Sequence, residues 1–383
     1  MNSMYVPKLR FKDEQGQEYP EWKVSKLGEL FNVSAGGDID KDNVRFIKTQ
    51  DFCYPVYANA LKNNGLYGYS NTYKIDGESF TITGRGDVGI AVSRHSNYTP
   101  IVRLLVCKPL HNENVDFFAE CFNKTKVYIE STGVPQLTAP QVKNIKITYP
   151  SLSEQEKIAD FLTTVDRQID IQSQRVEAMK TRKKGLLQKI FSQELRFKDE
   201  QGREYPEWEF ELFGNIVARK SATAISNSEL PGVEYEDIVS GEGRLNKDIR
   251  KKECTKKGIT FDVGDVLYGK LRPYLENWLL PNFRGIAIGD FWVLSSITMT
   301  AAYLYYYLQS EEFSKTANTS IGTKMPRADW KLVKAINMSV PSFPEQQKIA
   351  DFLTAVDKQL ELEEKRLETM KIIKKGLLQQ MFI

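Results

Sequence analysis

A fourteen-residue stretch occurs twice in this chain. Residues 9–22 read LRFKDEQGQEYPEW and residues 195–208 read LRFKDEQGREYPEW, differing only at Gln17 against Arg203. A second pair, residues 150–191 and 341–382, is identical at 25 of 42 positions. The two pairs are offset by 186 and 191 residues, so the intervening material is five residues longer in the second half. Self-similarity on this scale fixes the architecture before any local reading does. The material between the repeats, roughly 23–149 and 209–340, is not alike. A duplicated enzyme keeps its core and varies its loops. Here whole domains differ while the connectors match, which points to one scaffold presenting two different readers.

The domain organisation expected from this order is 1–149 as a first variable domain carrying the shared segment 9–22, and 150–191 as a first helix. A second variable domain with segment 195–208 occupies 192–340, and a second helix 341–383. Both variable domains contain short β-type runs. In the first these are Phe80 to Thr83, Ile90 to Ser93 and Ile101 to Val106, followed by a helical pattern over Asp116 to Asn123. The second has Ile259 to Phe261, Asp265 to Tyr268 and Trp292 to Ser295, then a helix from Ala301 to Ser314. The runs GVPQLTAPQVKNIKITYP and TKMPRADWKLVKAINMSVP end the two domains, matching Pro135 with Pro326 and Pro150 with Pro341. The fold class expected is α+β: two globular domains of one fold joined by two long antiparallel coiled-coil helices, in a pseudo-two-fold duplication.

The helices carry the coiled-coil signal. Apolar positions fall at Ile158, Leu162, Val165, Ile169, Val176, Met179, Leu186 and Ile190, in a 4-3 alternation with Gln172 and Lys183 in the remaining slots. The second copy repeats it with Ile349, Leu353, Val356, Leu360, Leu367, Met370, Leu377 and Met381, and with Glu363 and Lys374 in the same two slots. Five heptads of this spacing make a coiled-coil seam, on a helix from Glu154 to Phe191 that is about 57 Å long. Matched polar slots suit two helices packed antiparallel on one another. Ser153 with Glu156, and Pro344, mark the starts. Phe161, Leu187 and Phe352 widen the stripe and leave surface for helices of a partner.

Composition narrows the chemistry. The chain has 53 basic and 50 acidic residues and only two histidines, His95 and His111. Histidine metal sites and histidine general bases are disfavoured, and any nucleic-acid surface has to arise from local arrangement of charge. Four isolated cysteines, no apolar run of membrane-spanning length and an N-terminus without a signal-peptide pattern suggest a reduced, cytoplasmic protein. Gly264 to Lys270 reads G-x-x-x-x-G-K, but Leu271 stands where a phosphate loop needs Ser or Thr, and its interior reads as strand. Glu21-Trp22-Lys23 has a nuclease-like spacing that the second copy, Glu207-Trp208-Glu209, loses. No catalytic or metal site is expected.

Candidate DNA contacts are basic and amide side chains placed near glycines or turns. In the first domain these are Arg85, Arg94, Lys124, Lys126 and Gln136. In the second they are Lys270, Arg272, Tyr274, Arg284, Lys324 and Arg327. The cluster Arg250, Lys251, Lys252, Lys256 and Lys257 is a candidate for holding phosphate.

Together, the duplicated LRFKDEQG-x-EYPEW segments, the two P-S-[LF]-x-E-Q-x-K-I-A-D-F-L-T-x-V-D helix starts, their K-K-G-L-L-Q ends and the run GVPQLTAPQVKNIKI resemble the specificity subunits of type I restriction-modification systems. The resemblance covers the whole chain. It implies two target recognition domains, each reading one half of a bipartite sequence in double-stranded DNA. The repeated helices would then act as spacer and as dock for two modification (methyltransferase) subunits, with restriction (translocase and nuclease) subunits joining through the complex. It also implies no cofactor in this chain, with S-adenosylmethionine, ATP and Mg on the partner subunits, and no membrane association. The competing readings are a coiled-coil scaffold that binds proteins and has no DNA specificity, and a stand-alone nuclease or methyltransferase, which the scarcity of histidine and the absence of a duplicated carboxylate–lysine site disfavour.

Overall fold

The computed structural model describes residues 6–125, 135–252, 254–319 and 324–382. The chain divides into two compact units, Met1–Ser173 with Lys365–Ile383, and Gln174–Glu364. Each long helix is therefore shared. The first, Leu152–Phe191, gives its N-terminal half to the first unit and its C-terminal half to the second; the second, Phe343–Met381, does the reverse.

In the first unit a four-stranded antiparallel sheet runs in the order Phe31–Ala35, Leu104–Pro109, Ser79–Thr83, Ala91–Arg94. Ser79–Thr83 is buried throughout, as expected of a strand covered on both faces. One cover is the helix Val115–Lys124, whose start is capped by Asn114 Oδ1 accepting from the Phe117 amide at 2.9 Å. Its rings pack with Phe31 and Phe80, whose centroids lie 5.0 Å apart. A second sheet orders Val44–Arg45, Leu66–Ser70, Tyr54–Tyr57 and Thr99–Pro100, the last pair parallel.

The second unit repeats the first sheet as Val217–Lys220, Phe291–Ser296, Val266–Gly269, Trp278–Leu279. Its capped helix is Ala301–Tyr307, with Thr300 Oγ1 accepting from the Tyr303 amide at 3.2 Å. The expected helix to Ser314 is two, because the chain turns over Leu308–Ser310 before Glu311–Ala317. The second sheet keeps a parallel pair, Gly232–Val233 with Gly285–Ala287, but here Gly285–Ala287 joins the remaining strands, Lys257–Phe261 and Thr223–Ile225. In the first unit the other member of the parallel pair, Tyr54–Tyr57, makes that junction. The two folds correspond strand for strand in one sheet and diverge in the other. Val266–Gly269 is an interior buried strand, which disposes of the phosphate-loop pattern there.

The repeated segments are explained by one joint, made twice. Glu154 and Glu345 are fully buried, and each is gripped by an arginine from the fourteen-residue repeat: Arg10 Nη2 to Glu154 Oε2 at 2.6 Å, Arg196 Nη2 to Glu345 Oε2 at 3.0 Å. The neighbouring glutamines, Gln155 and Gln346, accept from the amides of Asn114 and Thr300, the caps of the domain helices, both at 3.0 Å. They donate to the carbonyls of Pro150 and Pro341. Helix, repeat segment and domain are thus locked together by one Glu-Gln dipeptide. The long helix begins at Leu152, with the Ser151 carbonyl taking its first amides, so Ser153 lies inside the first turn rather than capping it.

Phe161 and Phe352 are likewise claimed from within the chain. Phe11 and Phe197 of the repeat segments pack on them edge-on or tilted, with centroids 5.4 and 5.3 Å apart, and Leu187 enters the core of the second unit. The expectation that these three residues offer surface to a partner's helices is therefore corrected.

Within each unit the two half-helices run antiparallel. In the first, Ile158 and Leu162 share a core with Leu378, Met381 and Phe382, while Lys374 Nζ sits 2.7 Å from Asp166 Oδ1 and 2.9 Å from Glu120. In the second, Leu187 and Ile190 share a core with Ile349 and Leu353, and Lys183 Nζ sits 2.7 Å from Asp357 Oδ1. Lys183 and Asp357 correspond to Lys374 and Asp166 at the 191-residue offset. The polar seam slots are therefore occupied by pairing: Lys183 and Lys374 as above, and Glu363 with Arg175 at 2.8 Å. Gln172 is buried.

Candidate nucleic-acid interface

The same backbone frame appears once in each unit. In the first, the loop after strand Ser79–Thr83 forms an isolated antiparallel bridge between Arg85 and Gln136, and the Leu137 amide donates to the Gly84 carbonyl at 2.8 Å. In the second, the loop after Val266–Gly269 bridges Leu271 to Arg327, and the Ala328 amide donates to the Lys270 carbonyl at 2.8 Å. Arg85 corresponds to Leu271 and Gln136 to Arg327, at the offsets of the two repeats. The matched prolines, Pro135 and Pro326, lead into this bridge.

Different side chains hang on that frame. The first unit presents Arg85, half-buried, and Gln136, exposed. The second presents Lys270, Arg272, Tyr274 and Arg327, with Arg272, Tyr274 and Arg327 exposed. Arg327 Nη2 lies 3.0 Å from Asp290 Oδ2 and Lys270 Nζ 3.5 Å from Asp290 Oδ1. Burial opposes ionisation of Asp290, but the hydrogen bond and charge of Arg327, with the charge of Lys270, outweigh it and hold the carboxyl below its ordinary range. Arg272 occupies the left-handed region at φ +49°, where the first unit has Gly86 at φ +76°. Glycine takes that conformation freely and an arginine does so at a cost.

The remaining candidates are not members of the two bridges. Arg94 is 6% exposed: Nε donates to Thr81 Oγ1 at 3.1 Å, Nη2 donates to the Asn64 carbonyl at 2.7 Å, and the guanidinium lies 3.7 Å from the Tyr57 ring centroid. It ties the two sheets together, which removes it from the set of DNA contacts; desolvation lowers its pKa. Lys124 is the last residue of its helix, placed to meet the helix C-terminus. Arg284 and Lys324 are exposed, the first just ahead of strand Gly285–Ala287. Lys126 lies outside the described residues.

Within the proposed phosphate cluster, Lys252 pairs with Glu234 and with Asp237 at 2.8 Å, and Lys256 with Glu234 at 2.6 Å. Arg250 and Lys251 both approach Asp248, at 3.6 and 3.9 Å. The side chains paired with Glu234 and Asp237 brace their own loop.

Sequence reading missed Arg103. It directly precedes strand Leu104–Pro109, as Asp290 precedes Phe291–Ser296, so the two occupy one position. Arg103 is exposed, has φ +68°, and its guanidinium has no hydrogen-bond or ion-pair partner among the described residues. Its carbonyl lies against Gly84, where an added Cβ would come within 2.5 Å of it. Nothing in the local sequence marks it, because the signal is its register in the sheet.

Among the described residues there is no group of three or more His, Cys, Asp or Glu side chains able to hold a metal, and no helix long and apolar enough to cross a membrane. Trp22 and Trp208 are buried in the joints, so the nuclease-like spacing around Trp22 is packing.

Comparison with known proteins bears on the family and the fold. Over its full length the chain resembles the type I restriction enzyme MjaVIII specificity subunit of Methanocaldococcus jannaschii, at 23% identity over 96% of this chain and 94% of that one. A Mycoplasma pneumoniae protein named as type I specificity subunit S.MpnORF507P is 32% identical over 154 residues, 40% of this chain; the match spans 42% of the relative's own length. The crystal structure of a type I restriction-modification S subunit from M. genitalium superposes with a TM-score of 0.62 at 15% identity, covering 99% of both chains, and shares the fold. The family model described as the type I restriction modification DNA specificity domain matches residues 19–181 and 234–371, one span for each half of the duplication. The chain belongs to the family of type I restriction-modification DNA specificity proteins.

Proposed function

We propose that this chain reads an asymmetric, bipartite sequence in double-stranded DNA, one unit per half-site, as the non-catalytic specificity subunit of a type I complex. The observation that carries the reading is the repeated bridge, Arg85–Gln136 and Leu271–Arg327, an identical frame dressed with unlike side chains. Gln suits adenine, and Arg suits guanine or phosphate, so the two frames are equipped for different bases. The recognition domains are 1–149 and 192–340, and the long helices between them set the gap between half-sites.

Two modification subunits dock on the repeated helices, and restriction subunits join through them. S-adenosylmethionine, ATP and Mg belong to those partners. Phosphate contacts supply the salt-dependent part of affinity and base contacts discriminate by about 1–3 kcal/mol per mismatched pair. With nearly balanced charge, the chain alone binds DNA weakly and tightens when its partners close round the duplex.

The test is a methylation map. The chain is expressed with its modification subunit in a host lacking other adenine methylation, and modified adenines are located by single-molecule sequencing. One motif of two unlike blocks around a fixed gap, lost when either protein is omitted, is the expected result. Co-purification of the two proteins without modification would leave the scaffold reading standing instead.

A further inference from the structure

The two reading loops are held from behind by two different side chains at one position of the fold. Asn59 follows strand Tyr54–Tyr57 by two residues, and Tyr235 follows strand Gly232–Val233 by two residues. Both strands are members of the parallel pair that leads into the Arg103/Asp290 turn, so the two sites correspond. Asn59 Oδ1 accepts from the amides of Gly84 at 2.6 Å and Arg85 at 3.3 Å, and its Nδ2 donates to the Arg85 carbonyl at 2.5 Å. The Tyr235 hydroxyl accepts from the Leu271 amide at 2.8 Å and donates to the Asp290 carbonyl at 2.9 Å, with the Leu271 carbonyl 3.3 Å away. Each therefore grips the residue that forms the bridge, Arg85 in one unit and Leu271 in the other.

We infer that Asn59 and Tyr235 are positioning residues for sequence readout, fixing the loops that carry Arg85 and Gln136 in one unit and Lys270, Arg272 and Arg327 in the other. The inference rests on the DNA-reading assignment above. A bidentate contact to a base edge discriminates only while its donors are held in register; a loose loop still meets phosphate but tolerates the wrong base. Neither side chain is itself offered to DNA, since its polar atoms are spent on the loop. The fit is close in both units. A Cβ on Gly84 would lie 2.5 Å from the Arg103 carbonyl, and one on Gly269 would lie 2.7 Å from the Tyr235 hydroxyl. Tyr235 also packs its ring against Phe291, with centroids 4.6 Å apart, so removing the hydroxyl leaves that packing in place.

The experiment compares the wild-type chain with Tyr235→Phe, Asn59→Ala and Asn59→Asp, each with the modification subunit, on target sites carrying single mismatches in one half or the other. Tyr235→Phe is expected to relax discrimination in one half-site by between about fivefold and a hundredfold, the worth of a bidentate base contact. Asn59→Ala does the same in the opposite half. Asn59→Asp keeps the acceptor for both amides but sets a carboxylate oxygen against the Arg85 carbonyl in place of the donor, so it relaxes the same half as Asn59→Ala. Global destabilisation would lower methylation at every site without choosing a half. Unchanged stringency in both halves, or equal relaxation of both, overturns the inference. A wild-type chain that yields no two-part motif overturns the DNA-reading assignment itself, and the inference with it.

Discussion

Replacing Arg10 with methionine tests the joint that explains the repeats. Glu154 is fully buried, and Arg10 meets both its oxygens, Nε at 3.0 Å and Nη2 at 2.6 Å. No other hydrogen bond to that carboxylate is formed among the described residues. Arg10→Met therefore leaves a buried carboxylate uncompensated, a loss of about 3–5 kcal/mol. The Tyr19 and Pro20 carbonyls lose a donor as well, at 3.1 and 2.8 Å. The second copy is better insured. Glu345 keeps a bond from Trp208 Nε1 at 3.0 Å, whereas Trp22 Nε1 has no partner. A hydrogen bond to a charged group is worth about 1.5–3 kcal/mol, so Arg196→Met should cost about 2 kcal/mol less than Arg10→Met. At about 2–4 °C per kcal/mol for units of this size, Arg10→Met lowers the melting temperature by roughly 6–20 °C. Urea unfolding gives the free energies, and hydrogen exchange places the loss in residues 9–22 and 150–160. Pairing Arg10→Met with Glu154→Leu should return much of it, since an apolar pair can replace a buried ionic one. The reasoning is refuted if Arg10→Met costs under 1 kcal/mol, or if Arg196→Met costs more.

Three further outcomes are expected. Arg103→Ala should either lower the salt dependence of DNA binding by about one phosphate contact or relax one base pair by about 1–3 kcal/mol, and a salt titration on matched and mismatched duplexes tells which; no change in either would remove Arg103 from the interface. Arg272→Gly should stabilise the chain by about 0.5–1 kcal/mol, the relief of a left-handed arginine less the entropy of glycine, while weakening DNA binding; unfolding and binding measured on one preparation check both signs. Burial works against protonation of His95, but Asp116 at 3.0 Å and Glu78 at 2.7 Å more than offset it and raise its pKa. Its contribution to stability is thus fully present below the unfolded value near 6.5 and lost as pH rises through the higher folded value. An imidazole NMR titration below 6.5 would contradict this.

The large-scale plan was readable because duplication and heptad spacing are properties of order along the chain. Glu154 and Gln155 could be seen repeating at Glu345 and Gln346, though not why. The reason is contact with Arg10, Arg196 and two helix caps over a hundred residues away or more, or some forty in the case of the caps. Arg94 misled because its glycine-rich surroundings look like surface, while its strand register turns it between two sheets. Arg103, Asn59 and Tyr235 were invisible for the opposite reason. Each is placed by a sheet register or a backbone hydrogen bond that leaves no local pattern. Arg85, Gln136 and Arg327 could be singled out from the sequence because glycine and proline mark turns, and the structure sets all three in the bridges.

The first unit includes Lys365–Ile383, and its core contains Leu378, Met381 and Phe382, at the far end of the chain. During synthesis the ribosome must add all 191 residues from 174 to 364 before that segment begins to emerge, roughly 10–40 s at ordinary elongation rates. Throughout that interval Trp22 and Phe117, which pack against Phe382, lack their cover. The second unit has its share of the first helix in hand before its own domain is made. The first unit therefore closes only after the second has been made, and a chain stopped before residue 365 would leave the core of the first unit open.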